Sequence, residues 1–239
     1  MLWLSLDLET TGLDFNKDRV IEIGVVLFST NQRKCIENFG QLVKSDVPVS
    51  SEITKITSIH QTAVDRFGYD QDEVFEVLTY LMDSCDAVIG HNVIGFDKKM
   101  AESWARRNKQ TLPDKLYIDT MIDIKGHEGK KLSYLAADHG ILNYFPHSAM
   151  ADAQTVLLVA DKYNPADLVT RAKMPTVIIQ SHAPRSQNEQ VKKAKFRWNP
   201  DYKMWWKAVK ETDVDELERS VSFSIGYAPK EITLDSLSG

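Results

Sequence analysis

The sequence predicts an α/β protein: a mixed sheet of about five strands with flanking helices, followed by a small C-terminal α+β module. Three observations carry this expectation. The first residues alternate with a period of two, as a strand does. Helix-period segments then alternate with short apolar runs, which implies crossovers onto one sheet. Beyond residue 163 the pattern is punctuated by Asn164-Pro165 and Met174-Pro175 and starts again.

Leu2, Leu4, Leu6 and Leu8 fall on one side of an extended chain, and Trp3, Ser5, Asp7 and Glu9 on the other. After the turn signal Thr10-Thr11-Gly12, residues 19–29 (RVIEIGVVLFS) are β-branched enough for a central strand. A third strand is expected over 39–43, giving an antiparallel meander. Val74, Val77, Leu78, Leu81 and Met82 recur at helical spacing, so residues 72–84 read as a helix leading into a short buried strand at 87–90. A helix at 98–107, a strand at 117–120, and helices at 132–139 and 149–162 complete the first unit, taken as residues 1–163. Residues 164–174 are expected as a linker and 175–239 as the second unit. The latter reads as strand 176–181, helix 186–195, hairpin 196–209, helix 213–220 and strand 221–227, with a frayed Ser-Leu-Ser-Gly end.

A hydrophobic fraction of 43% and a charged fraction of 26% exclude a disordered or fibrous chain. The N-terminal residues lack the basic region and cleavage site of a secretory signal, and no apolar run spans a bilayer, so a cytoplasmic protein without membrane contact is expected. Cys35 and Cys85 have no metal-ligand spacing, which argues against zinc and disulfides. The net charge of −5 is unevenly distributed. Residues 171–210 hold ten Lys or Arg against Glu189 and Asp201, a local balance of +8 that leaves −13 for the rest. An acidic body with a basic, aromatic segment suits a nucleic-acid enzyme, although a solvated basic face would look the same.

Asp7 and Glu9 lie two apart on a strand, so both carboxylates project from one face, where they can share a divalent ion or simply meet solvent. Asp97 follows an Asn-Gly loop at a predicted helix start. His147 precedes Asp152 by five residues. Were both on one helix, about 100° per residue would leave them roughly 140° apart, so His147 is expected on the loop before the helix, beside Pro146.

These segments together resemble a known family. Leu6 to Asp14 (LDLETTGLD) is similar to the first motif of the DEDD exonuclease superfamily, and Gly90 to Asp97 (GHNVIGFD) to its Asn-x-x-x-(Phe or Tyr)-Asp motif. The spacing His147-x4-Asp152 resembles the DEDDh subclass, which includes polymerase proofreading subunits. Asp119-Thr120, and Thr57-Ser58-Ile59 where relatives have Thr-Gly-Ile, extend the likeness over residues 1–163. The resemblance implies a ribonuclease H-like sheet and a catalytic set of Asp7, Glu9, Asp97, His147 and Asp152. The four carboxylates would hold two Mg²⁺ or Mn²⁺ ions, and His147 would be the general base. It also implies substrate contacts from Thr10, Thr11, Gly12, Leu13, Ile59, Asn92 and Phe96. Asn92 and Phe96 are further expected to support the loop and anchor the next helix.

The implied activity is 3′–5′ hydrolysis of terminal phosphodiesters of DNA, with single-stranded 3′ ends preferred and nucleoside 5′-monophosphates released, in replication, repair or proofreading. Two alternatives stand beside it: an exoribonuclease trimming RNA 3′ ends, and a non-catalytic nucleic-acid-binding protein on the same fold. The expected partners are DNA, with RNA as the second option, and a polymerase or other replication protein. The C-terminal segment resembles a small module found beside plasmid primases. Its interleaved Lys192, Lys193, Lys195, Arg197, Trp198, Lys203, Trp205 and Lys207 are candidate nucleic-acid contacts, with the module's own core as the alternative use of its aromatics and protein docking as a third.

Overall fold

A computed structural model describes residues 1–237. Strands β1 (Leu2–Thr10), β2 (Val20–Ser29) and β3 (Lys34–Leu42) form an antiparallel meander. Helices α1 (Ser51–Thr57), α2 (Gln61–Phe67) and α3 (Gln71–Asp83) lead to β4 (Ala87–Gly90), which lies parallel to β1. Helix α4 (Asp97–Arg107) leads to β5 (Leu116–Asp119), parallel to β4. The result is a mixed five-stranded sheet of order β3-β2-β1-β4-β5, as expected. Beyond it lie α5 (Thr120–Asp123), α6 (Leu132–Asp138), α7 (Ala149–Ala160) and α8 (Pro165–Ala172).

Both faces of β1 are covered. Leu4, Leu6 and Leu8 pack with Phe75, Leu78, Met100 and Trp104 of α3 and α4. Trp3 faces the other way, into a cluster with Ile89, Ile118, Leu135 and Val156. Each fully buried side chain of this size contributes roughly 1.5–3 kcal/mol. Helix α7 comes unusually close to the sheet at Gly24, where a Cβ would lie 2.2 Å from the Ala149 carbonyl carbon. Gly24 is the cross-strand partner of Asp7, so the absent side chain brings the first turn of α7 beside the acid-bearing end of β1.

The second sheet, of order β7-β8-β6-β9, consists of β6 (Thr176–Ser181), β7 (Arg197–Asn199), β8 (Met204–Lys210) and β9 (Ile225–Tyr227). Helices α9 (Asn188–Lys193) and α10 (Val214–Ser220) accompany it, each entered through a 3₁₀ turn, and α11 (Leu234–Leu237) follows. Its core is Ile179, Val191, Phe196, Val209 and Phe223. The frayed end expected over the last four residues falls partly on 238–239, which lie outside the described residues; Leu237 itself is buried.

Several expectations change. Strand β3 starts at Lys34 instead of residue 39, and β9 is shortened to Ile225–Tyr227. Helix α1 is rich in β-branched residues, which hides it from a propensity reading; Ser50 caps it by accepting from the Ile53 amide. The segment expected as a linker holds α8, with Asn164 as its cap and Pro165 in its first turn. Asn-Pro is thus a helix start, since proline suits a first turn with no amide to donate. Leu168 of α8 packs into the first unit's core, and Arg171 on the same helix pairs with Glu128 (3.1 Å) and Asp213. A buried ion pair, Lys210 to Asp123 at 2.8 Å, joins the second sheet to α5.

Candidate active site

Asp7 and Glu9 extend from the C-terminal half of β1, both partly buried. Asp97 is the first residue of α4 and is 4% exposed; its Oδ1 accepts the Leu8 amide at 2.9 Å, which seats it between the two β1 acids. The loop delivering Asp97 is tied down by Asp119 at the end of β5. That buried carboxylate accepts from the amides of Asn92 (2.8 Å), Ile94 (3.2 Å) and Met121 (3.0 Å). Asn92 takes a left-handed conformation there, φ +63°.

His147 sits on the loop before α7, exposed, with φ +63°. Its amide donates to Asp152 Oδ2 at 3.0 Å, while the Asn143 side chain donates to Asp152 Oδ1. These two bonds fold the loop back over the helix it precedes. Ligand atoms of Glu9, His147 and Asp152 lie within 4.8 Å of one another.

The electrostatics are those of acids without enough counter-charge. Burial pushes the Asp7 carboxyl well above the usual range, and Asp97, Asp152, Glu9 and Glu22 push it further in the same direction. Glu9 is raised to about 8 by burial, then by Glu22, Asp152 and Asp97. Asp97 and Asp152 are raised by burial as well, against the opposing pull of their hydrogen bonds. A set of oxygen donors whose mutual repulsion a cation would relieve fits hard divalent ions such as Mg²⁺ or Mn²⁺.

The seven residues expected at the substrate are placed differently from one another. Leu13 is 75% exposed beside the site. Thr10 and Thr11 are buried, and their hydroxyls donate to Gly12 O (2.6 Å) and Asp18 Oδ1 (2.8 Å). They shape the turn, and Gly12 allows Asp18 to close on it, since a Cβ there would lie 2.5 Å from the Asp18 carboxylate. Ile59 is buried in a cluster with Ile21 and Val64, Asn92 is a loop residue, and Phe96 packs against Phe15 with ring centroids 5.9 Å apart. Ser58 ends α1 at φ +61°, a conformation that favours glycine.

Sequence reading did not find Glu22, Asn143 or the role of Asp119. Glu22 lies opposite Glu9 on β2 and accepts the Ala149 amide (2.9 Å) at the start of α7. An acid inside an otherwise apolar strand was the available signal for it. Asn143 has no local signal, because its partner is set by the loop's path.

A family model described as RNase_T, exonuclease, matches residues 4–160. The chain belongs to this exonuclease family. Among curated relatives, the 3′-5′ exonuclease DinG of Staphylococcus saprophyticus is 29% identical over 154 residues, covering 63% of this chain and 17% of that protein. A PolC-type DNA polymerase III of Caldanaerobacter subterraneus is 30% identical over 155 residues, covering 62% and 10%. The chain thus spans under a fifth of the length of either relative. Among solved structures, E. coli exonuclease I in complex with a dT13 oligonucleotide shares the fold at a TM-score of 0.61 and 17% identity, covering 76% of this chain and 48% of that one. The nuclease domain of 3′hExo, a DEDDh family member bound to rAMP, does so at 0.57 and 17%, covering 67% and 90%. The exonuclease match ends at residue 160, so the likeness of the C-terminal residues to a primase-associated module falls outside it.

In that C-terminal part the candidate contacts separate. Lys195, Arg197 and Lys207 line the seam against the exonuclease domain, near Gly95 and Met121. Lys192, Trp198, Lys203 and Trp205 line an outward groove, and Lys193 is exposed away from both. No helix among the described residues is long and apolar enough to cross a membrane.

Proposed function

We propose that this chain removes nucleotides one at a time from DNA 3′ ends, preferring single strands and releasing nucleoside 5′-monophosphates. The observation that carries the reading is that Glu9 and Asp152 lie within 4.8 Å of His147 on an exposed loop, with Asp7 and Asp97 near enough for the four carboxylates to repel one another. The four carboxylates would hold the two Mg²⁺ or Mn²⁺ ions, which when bound supply Lewis-acid stabilisation of the phosphodiester and its departing 3′ oxygen. His147 is the general base. Its backbone is fixed by the bond to Asp152 while its ring stays accessible, so it can take the proton of the attacking water. Asn143 holds Asp152, Asp119 holds the loop that delivers Asp97, and Glu22 holds the first turn of α7. Exposed Leu13 contacts the terminal nucleotide, with the Thr10-Thr11-Gly12 turn beneath it.

The DNA preference is supported by the relatives, named as a PolC-type DNA polymerase and the DinG exonuclease, and by the exonuclease I complex with a DNA oligonucleotide. On that ground the chain acts in replication, repair or proofreading in the cytoplasm, with a polymerase or another replication protein as partner. An RNA substrate is the second reading, favoured by the 3′hExo domain bound to rAMP.

The test uses 5′-labelled single- and double-stranded DNA and RNA of one sequence, incubated with Mg²⁺, for the wild type and Asp7→Ala. A ladder that shortens from the 3′ end with the wild type alone is expected, fastest on single-stranded DNA. Internal cuts, full activity in the variant, or activity surviving exhaustive chelation would sink the reading.

A further inference from the structure

The hairpin β7–β8 separates its aromatics by the two-residue period of a strand. Trp198 and Trp205 are cross-strand partners with ring centroids 5.5 Å apart, whereas Trp206, the partner of Arg197, points to the seam with the exonuclease domain. The Trp198–Trp205 pair forms one wall of an open groove of about 980 Å³. Trp198 is 48% exposed and Tyr202 44% exposed, a large aromatic area to leave facing solvent. Arg185, Lys192 and Lys203 reach the same groove, and no carboxylate is among the described residues that line it. Lys192 also pairs with Glu189, but that contact is solvent-exposed and easily exchanged for a phosphate.

We propose that this groove is a second nucleic-acid site, which takes unpaired bases on Trp198, Tyr202 and Trp205 and their phosphates on Arg185, Lys192 and Lys203. Charge complementarity selects the occupant. Cations concentrate here on a chain whose net charge is −5, so a polyanion is drawn to this face and kept off the acidic remainder. Aromatic faces flanked by cations suit single strands of mixed sequence, because every base has a π-face to stack. The proposal deepens the exonuclease reading by giving its substrate a hold away from the scissile end, yet it can be tested without catalysis.

The experiment measures binding of a labelled oligothymidylate of about 20 nucleotides to the full chain in EDTA, by fluorescence anisotropy across a salt series. Trp198→Ala is expected to weaken binding roughly tenfold or more, and Trp198→Phe to restore most of it through stacking. The pair Lys192→Glu and Lys203→Glu should reduce the slope of log affinity against log salt by about 1–1.5. Trp205 packs partly on the module's core and is left unchanged; far-UV circular dichroism checks that the variants remain folded. Unaltered affinity in folded Trp198→Ala, with an unaltered salt slope in the Lys variant, would overturn the groove proposal. A wild type that binds tightly, loses affinity in these variants and yet never shortens DNA with Mg²⁺ would leave the groove standing and sink the exonuclease reading.

Discussion

Two buried acidic sites in this molecule are solved in opposite ways. Asp123, 1% exposed, is met by Lys210, 2% exposed, inside the chain itself. Asp7 is surrounded instead by Asp97, Asp152, Glu9 and Glu22, all of the same sign. The first site uses its charge to join two parts of the protein. The second leaves its charge uncompensated, the environment that the proposed cation would relieve.

The comparison breaks most visibly at Asp7. Asp7→Asn should lower the rate of 3′ shortening by about 10³-fold or more, as expected for a group on the reacting centre. It should also raise the thermal midpoint in EDTA, since it removes one of the repelling charges. A stabilised but inactive variant, read by thermal unfolding beside the labelled-DNA assay, is the expected result; a destabilised one would make Asp7 structural. Lys210→Met should do the reverse. It strands Asp123, which should cost about 3–5 kcal/mol in denaturant unfolding, and adding Asp123→Asn should recover most of that loss.

Between these extremes lies Asp119, a positioning residue. Asp119→Asn turns one accepting oxygen into a donor facing an amide, so the loop before Asp97 should loosen. A loss of about 10–100-fold in metal affinity or rate is expected, partly rescued by higher Mg²⁺, with the overall fold retained. The smallest effect is in pH. Glu9 is raised from 4.5 to about 8 in the folded chain, so its contribution to stability is full below the unfolded value and is lost as pH rises toward 8. In EDTA the thermal midpoint should therefore fall from pH 5 to 8, Mg²⁺ should restore it most at the upper end, and Glu9→Gln should flatten the trend. A midpoint that climbs over this range in EDTA would contradict the cation-awaiting site.

Much of this was legible in the chain. The Leu4-Leu6-Leu8 alternation marked β1 and put Asp7 and Glu9 on one side, and the five-residue interval from His147 to Asp152 required a loop for the histidine, where it lies. Helix α8 was not legible as such, because Asn164-Pro165 serves equally as a boundary or a helix start, and only the burial of Leu168 decides between them. The C-terminal cations looked like one surface in sequence. The strand period and the packing of the module against the exonuclease domain divide them into a seam and a groove.

The sequence by itself determined the mixed sheet and the order in which the candidate catalytic residues fall along it, because strand and helix periods and short motif spacings are local properties. Tertiary structure alone decided that Glu22 and Asn143 brace the site, that Gly24 admits α7 beside Asp7, and that Lys210 is matched to Asp123. Those pairings join residues far apart in the chain, and burial gives them their energetic weight; neither can be read from local pattern.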